Sequence, residues 1–242
     1  MNESVFCDLD RSFEQEVLSQ SANPKTMFAS FFKKFRKSDK RQYDNCLPQY
    51  HVSDTHTMLK ACRDGDFKTV NEMISKGFDI NAIDEKTDLS PLHISSQFGK
   101  EKLVSLLLQN KANVDITKQF NFTPLILAAQ YNHRNVVKIL LDGKANVNAT
   151  TQFGMTSLMK AARSGHVDVV KELILANADL NLQDDLQSTA LFYAASHGHT
   201  SVVHSLLIAG ADHNIKDVDG LTPILVARYK QHVDVVNELR KK

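Results

Sequence analysis

Tryptophan is absent from the 242 residues, and cysteine, proline and glycine are sparse at three, five and nine copies. Cys7, Cys46 and Cys62 are odd in number and none forms a C-x-x-C pair, so the sequence indicates neither a disulfide framework nor a zinc site. A reducing, cytoplasmic compartment is the expectation. No apolar run approaches the ~18 residues of a membrane helix, and the start MNESVFCDLD has no basic and apolar regions of a secretion signal. Charge of one predominant sign is missing as well. With 29 Lys and Arg against 28 Asp and Glu, no global field argues for nucleic acid or for an acidic partner. The chain also lacks G-x-S-x-G, H-E-x-x-H, the P-loop and G-x-G-x-x-G, which leaves no expected catalytic residue, metal site or cofactor.

What is present is a repeat. The stretch from Gly154 to Leu182, GMTSLMKAARSGHVDVVKELILANADLNL, falls onto its neighbours when shifted by 33 residues. Leu125, Leu158, Leu191 and Ile224 come into register, as do the pairs Ala128/Ala129, Ala161/Ala162 and Ala194/Ala195. Val136/Val137, Val169/Val170, Val202/Val203 and Val235/Val236 follow, and Asn148, Asn181 and Asn214 close their units. Ser90-Pro91-Leu92-His93 is the nearest approach to T-P-L-H, with Thr123-Pro124 and Thr222-Pro223 as partial copies. With this period and this core, the sequence resembles the ankyrin-repeat family. The resemblance implies an all-α solenoid in which each repeat is a helix-turn-helix followed by a loop or β-hairpin.

Six units can be laid out, at 56–82, 83–115, 116–148, 149–181, 182–214 and 215–242, the second with one extra residue. A repeat domain is therefore expected over 53–242, after an extension over 1–52. Each recurring feature has a mechanical reason. The Thr-Pro pairs combine a capping hydroxyl with a proline in the first helical turn. The alanine pairs give the inner helix a thin flank against the next repeat. Gly99, Gly165 and Gly198, with Asn132 in the same place, suit a left-handed helix end. Lys111 and Lys144 stand where the family usually has glycine after the outer helix, so strained turns are expected there. Tip turns are expected at Asp88, Asn121, Gly154, Gln187 and Gly220.

His197, His199 and His204 form the one histidine cluster with a metal reading, but His199 occupies the same repeat position as His133 and His166 and is read as structural. His93 is expected to hydrogen-bond within or between loops. Cys62 replaces a core alanine and reads as buried rather than nucleophilic.

For function, the resemblance implies recognition of another protein by a concave face of loop tips and inner helices. The variable residues at those places are then the candidates: Phe98, Phe120, Phe122, Tyr131, Phe153, Met155, Arg163 and Leu186. Interfaces are enriched in aromatic residues, Met and Arg, although rings at these places could also fold back onto neighbouring loops. The expected activity is that of a monomeric, non-enzymatic adaptor or scaffold.

The extension changes sign along its length. Residues 1–22 carry Glu3, Asp8, Asp10, Glu14 and Glu16 against Arg11, whereas Lys25, Lys33, Lys34, Arg36, Lys37, Lys40 and Arg41 face only Asp39 in residues 23–41. From the Asn23-Pro24 start, Phe28, Phe31, Phe32 and Phe35 fall on one stripe of a helix over 24–41. Three readings stay open for it: a cap on the first repeat, a helix for an anionic membrane or a partner, or disorder. The membrane reading makes the chain a peripheral regulatory protein, or a secreted bacterial effector working in a host cytoplasm. Nucleic acid is not expected, because the basic run is short and the repeats add no matching patch.

Overall fold

The computed structural model describes residues 52–85 and 87–241. The expected helix over 24–41, with Phe28, Phe31, Phe32, Phe35, Lys33, Lys34, Arg36 and Lys37, lies outside the described residues.

Twelve α-helices follow in six pairs among the described residues: α1 (Val52–Asp64) with α2 (Phe67–Ser75), α3 (Pro91–Gln97) with α4 (Glu101–Gln109), and α5 (Pro124–Gln130) with α6 (Arg134–Asp142). Then come α7 (Ser157–Ser164) with α8 (Val167–Leu175), α9 (Ala190–Ser196) with α10 (Thr200–Ile208), and α11 (Pro223–Tyr229) with α12 (Val233–Leu239). The odd-numbered inner helices pack in series, each on the inner helix before and after it, and the outer helices do the same. This is the all-α ankyrin solenoid. Among the described residues the loops hold no β-strand, only one isolated bridge between Thr150 and Thr156. Each loop is a tight turn instead, as where the Lys118 N–H donates to the Phe122 carbonyl at 3.1 Å and Thr151 to Met155 at 2.9 Å.

Inner helices start where a side-chain oxygen meets the third helical N–H. Ser90, Thr123, Thr156 and Thr189 accept from His93, Ile126, Met159 and Phe192 at 3.2–3.3 Å. Thr222 departs from the expectation. It has the extended backbone of a cap but makes no side-chain capping bond, and the fixed φ of Pro223 starts α11 without it.

Packing explains the alanines. Ala128, Ala129, Ala161, Ala162, Ala194 and Ala195 have no exposed surface and lie where successive inner helices touch. In the second unit Ser95 and Ser96 take these places, fully buried, Ser95 beside the Cys62 thiol and Ser96 with a hydroxyl that finds no partner, so that seam is polar where the others are apolar. Cys62 is buried on α1, and desolvation pushes its thiol up to about 11, which makes it a packing residue and not a nucleophile.

A histidine ladder ties each repeat to the one before. His133, His166, His199 and His232 each donate from Nε2 to a carbonyl near the end of the preceding inner helix, at Gln97, Gln130, Arg163 and Ser196, over 2.8–3.1 Å. The glycines make room for these rings. At Gly165, with φ +77°, an added Cβ would lie 2.7 Å from His199 Nδ1. On the opposite edge an Asx ladder runs the same way: Asn81, Asp115, Asn148 and Asn181 accept from the backbone N–H of Asn113, Asn146, Asp179 and Asp212 at 2.8–3.0 Å. Lys111 and Lys144 do adopt the left-handed conformation, with φ of 68° and 70°.

Candidate interaction face

The expected tip residues all have positive φ: Asp88, Asn121, Gly154, Gln187 and Gly220 at 55–76°. Turns of this kind are held by a side-chain acceptor at the loop start. Asp84 accepts from Thr87 N–H at 2.9 Å, Thr151 Oγ1 from Met155 at 3.1 Å, Asp184 from Ser188 at 2.9 Å and Asp217 from Leu221 at 2.8 Å. Lys118 holds the equivalent place in the third unit and has no oxygen to offer. The turn there is a short 3-10 segment, Gln119–Asn121, in which Phe120 is left-handed at φ 61° and ψ 23°. Two adjacent left-handed residues with a Cβ, one of them aromatic, are an uncommon arrangement.

That geometry separates the candidate side chains into two sets. Phe120 and Phe153 are half-buried and stack on each other across adjacent loops, with ring centroids 5.9 Å apart and planes inclined by 25°. Their carbonyls bind the loops together, Phe120 O accepting from Gln152 N–H at 2.8 Å and Phe153 O from Asp185 N–H at 3.1 Å. Leu186 continues the column, half-buried, its carbonyl accepting from Val218 at 2.9 Å. Tyr131 caps α5 and, like Phe120, packs against the buried cluster of Phe122, Ile126 and Leu127. Phe98 is 37% exposed at the end of α3, with the Arg63 guanidinium 5.7 Å from its ring centre. Arg163 is half-buried near the end of α7.

Phe122 and Met155 do not belong to this surface. They are 5% and 1% exposed, and Phe122 packs with Ile126 and Leu127. The left-handed turn at the tip reverses the chain, so the residue just after it points into the repeat. Leu89 holds the same register and is also buried.

Two lysines that the sequence reading passed over flank Phe122. The Lys118 and Lys160 ammonium nitrogens each lie 4.9 Å from its ring centre. Lys160, on α7, is only 7% exposed, an unusual burial for lysine. The signal for Lys118 was in the loop column itself, where an acceptor is replaced by a cation.

The remaining titratable groups are structural. His93 is fully buried, its Nδ1 accepting from Ser90 N–H at 3.2 Å and its Nε2 donating to the Phe122 carbonyl at 3.1 Å. Burial lowers its pKa to about 4. Asp184 is buried and pushed up by desolvation while the Tyr193 hydroxyl donates to it at 2.5 Å. His197 and His199 stack at 6.2 Å, but His204 lies on the outer helix, 2.6 Å from Glu238. Among the described residues no group of His, Cys, Asp and Glu is placed to hold a metal ion, and no helix is long and apolar enough to cross a membrane.

A family model of ankyrin repeats, three copies long, matches residues 57–151, 140–217 and 158–242. Among curated proteins the chain is similar to the ankyrin repeat-containing protein YIL001W of Saccharomyces cerevisiae, 46% identical over 55 residues, which is 23% of this chain and 10% of that protein. It is also similar to the 2-5A-dependent ribonuclease of Mus musculus, 36% identical over 62 residues, and of Homo sapiens, 31% over 68. Those stretches are 26% and 28% of this chain and 8% and 9% of the ribonucleases, so the chain spans a tenth or less of the length of these relatives. The family model, by contrast, runs from residue 57 to the last residue, and the chain belongs to the ankyrin-repeat family.

Proposed function

We propose that the chain is a non-enzymatic adaptor that binds another protein through the loop tips and inner-helix ends of its second to fourth repeats. Ankyrin repeats are generally protein–protein interaction modules, and the question particular to this chain is which surface does the binding. The observation that carries the reading is the Phe120–Phe153 stack, a pair of half-buried rings at adjacent tips held by a left-handed Phe120. A residue with a Cβ loses about 1–2 kcal/mol in that conformation, and local strain of this kind gathers at binding sites. Phe120 also packs on the buried Phe122, Ile126 and Leu127, and the part of the two-ring stack left open to solvent offers a seat for an apolar side chain of a partner. Tyr131 and Phe98 extend the aromatic surface along the inner helices.

The test is a quantitative pull-down with the full chain. Phe120→Ala/Phe153→Ala should stay folded with a loss of about 1–2 kcal/mol in stability, since Phe120 packs on the buried Phe122, Ile126 and Leu127, and should lose the captured partner, because truncating an anchor typically costs about 2 kcal/mol, roughly thirtyfold in affinity. Lys171→Ala, exposed on α8, should change neither property. Full retention of the partner by the double variant would place the binding surface elsewhere.

A further inference from the structure

The junction between the first and second repeats is built unlike the four that follow. At each later junction a histidine just before the outer helix donates to a carbonyl near the end of the preceding inner helix, and in the second repeat that place belongs to Lys100, the residue before α4. Gly65 still leaves the room that a ring needs, and an added Cβ there would lie 3.4 Å from the Lys100 stem and ammonium. That ammonium makes no hydrogen bond among the described residues. The stem fills the space of the histidine without tying α1 to the second repeat, and what the charge adds is a solvent-screened attraction to the end of α1.

The seam changes at the same place. Cys62 of α1 meets Ser95 of α3, both fully buried. In the same register the later junctions have Ala129 with Ala161, Ala162 with Ala194 and Ala195 with Ala227, all without exposed surface. A hydroxyl against a thiol is a weak hydrogen bond and recovers little of the water that both groups give up. The connection across this junction, residues 76–90, is also one residue longer than each of the four that follow. The Asx edge, by contrast, is intact, with Asn81 Oδ1 accepting from the Asn113 N–H at 2.8 Å.

We infer that this junction is a hinge: the first repeat swings open as a unit about the edge held by Asn81, while the stack from the second repeat onward stays closed. Repeat arrays part where the interface between neighbours is weakest, and local opening follows the places with the poorest buried links. The longer connection takes up the change in backbone direction. Opening bares Cys62 and carries Arg63 away from Phe98, where its guanidinium lies 5.7 Å from the ring centre, so the same motion uncovers the second-repeat end of the candidate face.

The test is alkylation of the full chain with iodoacetamide over a range of urea concentrations below the main unfolding transition. Mass spectrometry of peptic peptides reads Cys62 separately from Cys7 and Cys46. A buried thiol reacts only in molecules that have opened, so the rate follows the open fraction. Cys62 should react with a urea dependence well below that of global unfolding, because one junction exposes little surface. Lys100→His combined with Ser95→Ala, which restores the histidine link and the alanine seam, should slow the reaction about tenfold. Ala162→Leu, at a distant seam, should leave it unchanged. Hydrogen exchange should show the slowest amides of α1 and α2 sharing the same shallow urea dependence, and circular dichroism melts confirm that each variant folds. Cys62 reacting only in step with global unfolding, a rate that rises with Ala162→Leu, a repaired junction that reacts as fast as the parent, or α1 opening without α2 would each overturn the hinge.

Discussion

His93 links protonation to folding at a single side chain. Both ring nitrogens are used inside the protein, Nδ1 as an acceptor from Ser90 and Nε2 as a donor to the Phe122 carbonyl, so a second proton on the ring would break the first of these bonds. Its pKa falls from an ordinary 6.5 to about 4 because the site desolvates the cation. A depressed folded value means that the group's contribution is complete above the unfolded pKa and is lost as pH falls through the folded one. The repeats should therefore lose on the order of 2–3 kcal/mol between about pH 6.5 and pH 4 through this group. Thermal melts across that window, with His93→Gln as reference, check it; a parent and variant with the same pH slope would contradict it. Lys111 and Lys144 offer a second residue-level test. Each has a Cβ at a φ near 70°, so Lys144→Gly should raise stability by up to about 1 kcal/mol despite the added freedom of the unfolded chain. A lowered denaturation midpoint would mean that the lysine stem makes contacts worth more than the backbone strain.

Within one helix pair, the decisive dimension is the thickness of the seam between neighbouring inner helices. Ala162 is fully buried on α7, which packs against both α5 and α9. Ala162→Leu should destabilise the array by about 1–3 kcal/mol through overpacking, read as a lower midpoint in urea; an unchanged midpoint would remove that alanine from the seam. This much was legible in the chain, because the seam, the caps and the left-handed helix ends recur at fixed spacing and each has a narrow set of tolerated residues. The tips were legible only in part. Phe120 and Phe122 look equivalent in sequence on either side of Asn121, yet the left-handed turn leaves Phe120 half-buried on the outside of the cluster that Phe122 forms with Ile126 and Leu127. Reading the loops as columns separates them: Leu89, Phe122, Met155 and Leu221 keep the inner place apolar in four of five units, while Phe120, Phe153 and Leu186 give way to Asp219 in the outer one. Lys160 was hidden for another reason. Nothing in a helical pattern tells that a lysine on the inner helix folds its stem over a ring from the preceding loop.

Across the array, cohesion comes from contacts between nearest neighbours, the histidine and Asx ladders adding one polar link per junction to the apolar seams. The ladders use the backbone edges on which they sit and leave the stacked tips as the surface on which this chain differs from a generic repeat. Hydrogen exchange of the full chain, alone and with the partner that the parent captures, tests that claim most directly. Slowed exchange is expected at residues 118–122 and 151–155 and along the ends of α5 and α7, with α6 and α8 unchanged. Protection confined to the outer helices, or a partner that leaves both tips exchanging as before, would contradict it.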